Sequence, residues 1–491
     1  MDVLNMFSMF RARKAGFTET VVTSLTSGGN DIPMSCRAMT HEEILPVIRG
    51  VALCILLAAL DQTIIVPAVP RMARDLGGGG HIAWIVAAYL LTGTAATPIF
   101  GALSDIYGRR RLMQPALILF CAASLGCAAA QNFWQIVLFR AVQGVGGAGL
   151  MVISQTAISD VAPPRERGRY QIYMSGMWGI ASIAGPMAGG ALTDSLSWRG
   201  IFWVNLPLGA LAWVMSNRAL RALPPHEGGG HKIDYLGAAL LIGAVTCWLI
   251  LADSGGRDFA WDSRASAALL VAAVVLTGLT AWAERQAESP MLPVRLFTNG
   301  TILGNLLLSA ANSLCTFGAS LLLPLYYQYV KHTDAAASGL LTTPFLLAFV
   351  VMSYAGGMIS RALGRTKPTM LVALGLCCVG LGLLSTMGRA TPFVVCMAYG
   401  VVLGGGIGLV QPNITVAIQN AAARRDVGIA TGCMLLFRAI GGAIGATLAA
   451  CMLLAYGGER GFHAGFGARA VVALIAVVIA AFMRDSALRG A

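Results

Sequence analysis

The strongest constraint on this chain is a series of long apolar runs that recurs from residue 47 to residue 484. Fourteen runs can be traced, at about 47–69, 82–103, 112–131, 134–159, 169–193, 200–221, 235–253, 265–285, 301–330, 336–362, 369–388, 391–419, 427–456 and 466–484. Each is close to the roughly 20 apolar residues that an α-helix needs to cross a bilayer. The pattern predicts an all-α polytopic membrane protein.

The low charge content supports a membrane protein. Hydrophobic residues make up 57% of the chain and charged residues only 11%, whereas soluble domains carry about 25% charged residues. A water-soluble chain of this length could not cover its surface with so few charges. The bilayer must therefore be the solvent for most of the protein.

Basic residues indicate the orientation. The net charge is +12, and lysine and arginine collect in cytoplasmic loops of membrane proteins. With the N-terminus inside, the predicted inside loops hold about twice as many basic residues as the outside loops, including 109–111, 165–169 and 484–489. We expect both termini in the cytoplasm, a bacterial inner-membrane location and no nucleic-acid partner.

Five segments are predicted along the chain. They are a cytoplasmic tail at 1–46, a six-helix bundle at 47–221, two additional helices with linkers at 222–300, a second six-helix bundle at 301–485 and a cytoplasmic C-terminus at 486–491. The tail has no apolar segment with a cleavage site. Translation from Met34 or Met39 is an alternative to a tail of this length.

A weak repeat relates the two bundles. Residues 147–150 and 406–409 are both Gly-X-Gly-Leu, and Gly185 and Gly189 are echoed by Gly441 and Gly445. Two related bundles around a central site leave such a pattern. Chance similarity between glycine-rich membrane helices is the alternative.

The loop after the second span combines glycines with charges. Residues 101–112 read Gly-Ala-Leu-Ser-Asp-Ile-Tyr-Gly-Arg-Arg-Arg-Leu. An acid beside three arginines can hold helix ends together through charge pairs and helix dipoles. The segment resembles the cytoplasmic signature of the major facilitator superfamily, G-x-L-(a)-D-x-x-G-R-(R/K)-x-x. The resemblance implies the major facilitator fold and a conformational latch that favours the outward-facing state, formed by Gly101, Asp105, Gly108, Arg109 and Arg110.

The first span carries an acid near its middle. Residues 60–70 resemble the first-helix motif of the fourteen-span drug:proton antiporters, L-D-x-T-I-V-x-x-A-L-P, with Val69 replacing the usual leucine. Asp61 is the only acid that the sequence places deep inside a span. An isolated carboxylate there costs several kcal/mol, so we expect it to be neutral or paired for part of the time. Asp61 is predicted to carry the coupling proton, with a static packing acid as the alternative.

Two cations are predicted within spans, Arg140 and Arg438. Residues 140–148 resemble the family motif R-x-x-q-G-x-g-a-a, which the resemblance associates with proton transfer. An intramembrane arginine needs a partner or a wet cavity. A pair between Arg140 and Asp61 would satisfy both groups and would break when Asp61 is protonated. In the alternative, Arg140 binds backbone carbonyls near a helix end.

The fifth span gives the main argument for export. Residues 179–190 resemble the motif G-x(5)-G-P-x-x-G-G of exporters in the superfamily, which importers generally lack; its positions are Gly179, Gly185, Pro186, Gly189 and Gly190. The spaced glycines predict a close helix contact and the proline predicts a bend. Both would suit a rocking interface. Residues 198–209 resemble a further segment of the fourteen-span subgroup, for which we expect a structural role.

Polar residues in the spans are candidate walls of a substrate cavity. Residues 404–412 resemble the subgroup pattern G-x-G-x-G-x-x-x-P, and amides near the midplane of a transporter can line such a cavity. The candidates are Gln62, Gln155, Asn305, Asn312, Tyr326, Gln411, Asn413 and Arg438. Interhelical hydrogen bonding is the alternative role for each. Residues 301–330 lack the second acid of some multidrug members, so dicationic drugs are less expected than monocations, neutral amphiphiles or anions.

No motif points to an enzyme or to ATP as the energy source. A P-loop, a nucleophile–base pair and metal-ligand spacing are all missing from the sequence. The sequence therefore predicts a proton-driven exporter of drugs or amphipathic small molecules by alternating access, without a cofactor or metal. An importer or facilitator of one metabolite is the main alternative, and a non-transporting sensor or partner subunit is less favoured. A periplasmic adaptor and an outer-membrane channel, used by related exporters, remain open as partners.

Overall fold

The computed structural model describes residues 41–77, 84–222, 234–254, 260, 262–287, 294–333, 335–423 and 426–485. The predicted tail up to residue 40 and the predicted C-terminus at 486–491 lie outside these residues. The helices are α1 (His41–Ile64), α2 (Val69–Asp75), α3 (Trp84–Tyr107), α4 (Arg109–Ala129), α5 (Phe133–Val161), α6 (Pro164–Ser195), α7 (Gly200–Ala219), α8 (Tyr235–Ser254), α9 (Arg264–Gln286), α10 (Val294–Thr298), α11 (Gly300–Tyr329), α12 (Ala335–Leu363), α13 (Lys367–Leu384), α14 (Phe393–Ala421), α15 (Val427–Tyr456) and α16 (Gly458–Phe482).

Eleven of the described helices are long and apolar enough to cross a membrane. The protein is thus a multi-pass membrane protein with an all-helical architecture. Three further long helices, α6, α7 and α8, fall outside this set.

The helices that the structure describes form two halves of six long helices each, with the same packing pattern. In the first half α1 packs on α6 while α5 packs on α3 and α4; in the second half α11 packs on α15 while α14 packs on α12 and α13. Glycines make the equivalent contacts: Gly144 meets the backbone of α3 at Tyr89, and Gly404 meets the backbone of α12 at Phe345. The internal repeat seen in the sequence therefore corresponds to a repeat in packing.

One helix of the intervening pair spans the seam between the halves. Leu241 and Val245 of α8 pack in one apolar cluster with Leu91 of α3 and Leu436 of α15. Helix α9 packs mainly on α8, and exposes large apolar side chains such as Val271 and Trp282. An exposed apolar face of this kind suits contact with lipid.

Arg469 corrects one expectation from the sequence. The last span was predicted to begin near residue 466, and only Arg140 and Arg438 were predicted as cations within the spans. Helix α16 instead begins at Gly458, and Arg469 is fully buried. Its guanidinium donates to the carbonyl oxygens of Gly465 and Gly445, each at 2.5 Å. Arg140 and Arg438 are therefore not the only cations within the spans.

Candidate functional site

Asp61 lies at the centre of a polar cluster inside the first half. Its side chain is 1% exposed. Arg140 Nη1 donates to Oδ2 at 2.6 Å, while Gln143 Nε2 and Asn205 Nδ2 donate to Oδ1 at 2.8 and 2.7 Å. Three donors around one carboxylate replace the water that an ionised acid loses on burial. The cluster can therefore hold Asp61 in its charged form within the bundle.

Arg140 has partners besides the carboxylate. Its Nη1 also donates to Gln143 Oε1 at 2.9 Å, and its Nε donates to the carbonyl oxygen of Ile85 at 3.2 Å. The guanidinium carbon lies 4.3 Å from the centre of the Tyr89 ring, within the range of a cation–π contact. Both bonding modes foreseen for Arg140 thus coexist, and the guanidinium keeps acceptors if Asp61 becomes neutral.

Asn205 connects the cluster to α4 and α7. Its Nδ2 also donates to Ser124 Oγ at 3.0 Å, and that hydroxyl donates to the carbonyl oxygen of Phe202 at 3.0 Å. Asn205 Oδ1 is buried without a hydrogen-bond partner. A carboxamide presents either a donor or an acceptor when it rotates by half a turn. Asn205 can therefore serve both protonation states of Asp61.

The glycines of the fifth-span motif pack against the helix that carries Asp61. A methyl group at Gly185 would collide with Thr63, and one at Gly189 would collide with the carbonyl oxygen of Ile64. Thr63 Oγ1 also donates to the carbonyl oxygen of Ala181 at 2.7 Å. Gly185 and Gly189 therefore join α6 to α1 within one half. The sequence predicted a close helix contact for these glycines, and the helix they contact is α1.

Other positions of that motif differ in their surroundings. A methyl group at Gly179 would lie 2.9 Å from Val350 of α12, in the opposite half. Pro186 is exposed, and a methyl group at Gly190 would meet no atom within 4 Å. Within the motif, Gly179 is thus the glycine that faces the other half.

Asp105 of α3 holds the start of α15. Its Oδ1 accepts a hydrogen bond from the backbone N–H of Gly428 at 3.0 Å, and its Oδ2 accepts one from Ile429 at 2.9 Å. The first backbone N–H groups of a helix lack partners within it and favour a negative charge. A methyl group at Gly101 would lie 2.5 Å from the Gly428 carbonyl oxygen, so this glycine allows the close approach. The contact joins the two halves.

Arg109 secures Asp105 in this position. Its Nη1 lies 2.6 Å from Asp105 Oδ1, and its Nε lies 2.9 Å from Asp160 Oδ2 at the end of α5. Gly108 separates α3 from α4 with a φ of +85°, a conformation that favours glycine. Arg110 lies farther out, where its Nε donates to Asn217 Oδ1 at 3.1 Å. We call this end of the bundle, where α3 joins α4 and α14 joins α15, the latch end.

Further contacts between the halves begin at the latch end. Arg361 Nη2 lies 3.0 Å from Glu166 Oε1, linking α12 to α6. Deeper in the bundle, the hydroxyl oxygens of Ser175 and Ser353 are 2.7 Å apart and share a hydrogen bond. The halves are therefore closed against each other from the latch end towards the middle of the helices.

The predicted cavity residues do not form one group. Asn312 Nδ2 donates to Gln411 Oε1 at 3.1 Å, so these two amides lie together between α11 and α14. Arg438 is half-buried beside Trp178 of the opposite half. Gln62 is also half-buried, and its Nε2 donates to the carbonyl oxygen of Ala58.

Four other candidates lie in packed surroundings. Tyr326 is fully buried, with its hydroxyl donating to the Gly388 carbonyl oxygen at 2.9 Å. Asn413 is buried in a hydrogen bond with Ser360. Gln155 is buried near the latch end, and Asn305, also buried, donates to a carbonyl oxygen in the first turn of α11. Their surroundings resemble helix packing more than an open wall.

Sequence reasoning did not single out Gln143, Asn205 or Ser124 as parts of the Asp61 cluster. Gln143 follows Arg140 by three residues, a spacing that places both on one helix face. That signal could have identified Gln143. Asn205 was expected to be structural, and only the packing of α7 against α1 shows that it reaches Asp61.

Comparisons with known proteins agree with this architecture. The family model described as Major Facilitator Superfamily matches residues 51–303 and 305–490. The chain is 33% identical over 415 residues to the multidrug transporter protein MdtP of Bacillus subtilis (strain 168), covering 84% of this chain and 76% of the relative. It is 35% identical over 393 residues to an uncharacterized MFS-type transporter of Mycobacterium tuberculosis, covering 80% of this chain but only 57% of the relative.

A solved structure shows the same fold. The proton:xylose symporter XylE superposes with a TM-score of 0.66 at 15% sequence identity, covering 91% of this chain and 97% of that chain. The likeness concerns the fold alone. The family match over nearly all of residues 51–490 and the 33% identity to MdtP establish that this chain belongs to the major facilitator superfamily.

Proposed function

We propose that this protein is a proton-coupled antiporter that exports drugs or amphipathic small molecules by alternating access. The Asp61 cluster carries the proposal. A buried carboxylate with three donors and a neighbouring arginine can exist with or without its proton. The similarity to MdtP, a multidrug transporter, supports drugs as the transported compounds, and the exporter-like motif at residues 179–190 supports export as the direction.

The surroundings of Asp61 suit reversible protonation. In the charged state the carboxylate accepts from Arg140, Gln143 and Asn205. In the neutral state Arg140 retains Gln143 Oε1, the Ile85 carbonyl oxygen and the Tyr89 ring. Asn205 Oδ1, buried without a partner, is available to accept the hydroxyl of a protonated Asp61. Neither state then leaves a charge without a partner, which would cost several kcal/mol in the interior.

Protonation would act on the halves through α1 and α6. Asp61 is sealed from solvent, so proton exchange needs a rearrangement of the helices around it. Thr63 and Ile64, which follow Asp61 within one turn, contact the glycine face of α6. Helix α6 also carries Glu166 and Ser175, which bind the opposite half. A shift of α1 would thus reach the contacts between the halves.

The full topology is part of the proposal. We infer fourteen spans, made of the eleven span-length helices together with α6, α7 and α8. An even number is consistent with both termini in the cytoplasm, with the basic latch end on the cytoplasmic side of a bacterial inner membrane. The latched structure then corresponds to an outward-facing or occluded state. A periplasmic adaptor and an outer-membrane channel are partners to be tested by co-purification.

The test uses inverted membrane vesicles that contain a pH-sensitive dye and are energised by respiration. A transported compound should dissipate the proton gradient and restore the dye signal in wild-type vesicles. The Asp61→Asn variant should lose this response, because an amide cannot exchange a proton. The Asp262→Asn variant is the matched control, since Asp262 is exposed between α8 and α9.

The outcomes separate the candidate functions. A response that survives in Asp61→Asn would retain antiport and reduce Asp61 to a packing role. If no compound in a broad amphipathic panel restores the signal in wild-type vesicles, proton-coupled drug export is contradicted. Uptake of a compound into right-side-out vesicles down the proton gradient would instead identify an importer.

A further inference from the structure

Arg438 differs from the other arginines buried in the helices. It is the twelfth residue of the 30-residue helix α15, and so lies near mid-depth. Arg140 binds a carboxylate and Arg469 binds two carbonyl oxygens. Arg438 forms no hydrogen bond or ion pair with any residue that the structure describes. Its guanidinium N–H groups are therefore available to donate hydrogen bonds to a ligand.

The side chain of Arg438 points across the seam between the halves. Its guanidinium carbon lies 5.9 Å from the centre of the Trp178 ring, which belongs to α6 in the first half. Both side chains are half-buried rather than sealed. Gly179, next to Trp178, faces Val350 of the second half. The pair therefore lies where the two halves meet, the position at which transporters of this architecture bind their substrates.

Among the residues that the structure describes, no acid forms an ion pair with Arg438. Between residues 300 and 425 the only acid is Asp334, in the segment before α12. The carboxylate of Asp61 is buried and already bound by three donors within the first half. Arg469 adds a further cation to the second half, and that one is fully buried. An uncompensated guanidinium at this depth is costly unless an anion or water accepts its hydrogen bonds.

Polar atoms of α11 lie at the same depth as Arg438, on the helix that packs against α15. Ser309 Oγ donates to the carbonyl oxygen of Met434, one turn before Arg438, and Gly441 packs on the backbone of Ala310 one turn after it. Asn312 and Ser313 follow directly on α11, and each has a buried oxygen without a hydrogen-bond partner. Arg438 is thus accompanied by polar groups as well as by an aromatic ring.

We propose that the exported substrates are amphipathic organic anions whose carboxylate or sulfonate group binds Arg438, with their apolar body against Trp178. A planar guanidinium matches a carboxylate with two parallel hydrogen bonds. The indole supplies an apolar and aromatic surface beside it. A cationic drug would place its charge against Arg438 without a carboxylate to offset the repulsion. This inference rests on the proposed function, and it names the substrate class.

The test measures binding in lipid nanodiscs without a proton gradient. The ligands are a panel of aryl carboxylates, each paired with an amine of the same skeleton, such as 1-naphthaleneacetate with 1-naphthylmethylammonium. Carboxylates should bind at least about tenfold more tightly than their paired amines to the wild-type protein. The Arg438→Gln variant should bind the carboxylates about 10- to 100-fold more weakly than wild type, the range expected for the loss of hydrogen bonds to a charged group.

Two further variants keep the result interpretable. Arg438→Lys retains the charge and should preserve the preference for anions with weaker binding, whereas Arg264→Gln, at an exposed position, should bind like wild type. The inference is overturned if no carboxylate of the panel binds more tightly than its paired amine. It is also overturned if a folded Arg438→Gln protein binds carboxylates with unchanged affinity.

Failure of this inference can be told apart from failure of the proposed function. Anion binding that depends on Arg438, without proton release from energised vesicles, supports the substrate class and contradicts proton coupling. Proton release that is driven only by amines supports antiport and contradicts the substrate class.

Discussion

At the scale of single residues, the Asp61 cluster joins three helices of the first half through one carboxylate. Arg140 and Gln143 come from α5, and Asn205 comes from α7. Removal of one partner from a buried network leaves the remaining groups unsatisfied, at a cost of about 1–3 kcal/mol each. Stability measurements on these residues therefore report how strongly each partner interacts with Asp61.

The Asn205→Ala variant should lower the stability of the detergent-solubilised protein by about 1–3 kcal/mol, because a donor to the ionised carboxylate is lost. The loss should be smaller by at least about 0.5 kcal/mol when Asp61→Asn is already present, since residues in contact are not additive. Thermal unfolding of the wild type, the two single variants and the double variant completes this double-mutant cycle. The control is Asn217→Ala, at the far end of the same helix, which should lose the same amount of stability in the wild-type and Asp61→Asn backgrounds. An equal loss for Asn205→Ala in both backgrounds would show that its amide does not interact with Asp61.

The sequence predicted the main partners at this scale but not the complete cluster. An acid and an arginine, each alone within an apolar run, must find each other or water, so the pair could be inferred from its cost in the membrane. Asn205 carries no charge and meets no such requirement. Which face of α7 turns towards α1 depends on helix packing, which the sequence pattern of that segment does not encode.

At the scale of helices, the glycine face of α6 sets how closely α1 can approach. Gly189 contacts the Ile64 carbonyl oxygen, whereas the adjacent Gly190 faces open space. Substituting alanine at Gly189 and at Gly190 therefore compares a contacting position with a non-contacting one on the same helix.

The Gly189→Ala variant should lower stability by about 1–3 kcal/mol, because overpacking forces the α1 backbone to move. The same shift would displace Asp61, so the proton-coupled dye response should fall with it. The Gly190→Ala variant should not lower stability, because the added methyl group touches nothing and alanine is favoured over glycine within a helix. Thermal unfolding and the vesicle assay provide the two measurements, and equal effects of both variants would contradict this role of the glycine face.

Helix existence was more predictable than helix contacts. Every apolar run of the sequence corresponds to a long helix, because spanning length leaves few alternatives. The start of α16 was placed about eight residues late, since Arg460 and His463 interrupt the apolar pattern there. The close contact of Gly185 and Gly189 was predicted but its partner, α1, was not, because a glycine pair specifies a close approach without specifying the partner.

At the scale of the whole molecule, the two halves are held together at the latch end by a carboxylate that caps a helix. Asp105 binds the first backbone N–H groups of α15, and Arg109 with Asp160 fixes its side chain. The contact between Asp105 and α15 joins the two halves, which must separate if the protein opens at the latch end.

The Asp105→Asn variant should weaken this closure, since a neutral amide lacks the charge that favours a helix N-terminus. Cysteines introduced at Ser175 and Ser353, whose hydroxyl oxygens lie 2.7 Å apart, report closure through their cross-linking rate in a background without native cysteines. The rate should fall several-fold in Asp105→Asn and stay unchanged in Asp262→Asn. An unchanged rate in Asp105→Asn would show that the latch does not hold the halves together.

The positions of Asp61 and Arg438 have a consequence for how tightly proton flow is coupled to transport. All the hydrogen-bond partners described above for Asp61 belong to the first half, while Arg438 belongs to the second. If one group takes the proton and the other takes the cargo, the two never compete for a shared atom. Their exchange is then enforced only by the shape change between them. A pump built in this way is expected to slip: some protons return without cargo, and the cell loses gradient in proportion to how loosely α1 and α6 are joined.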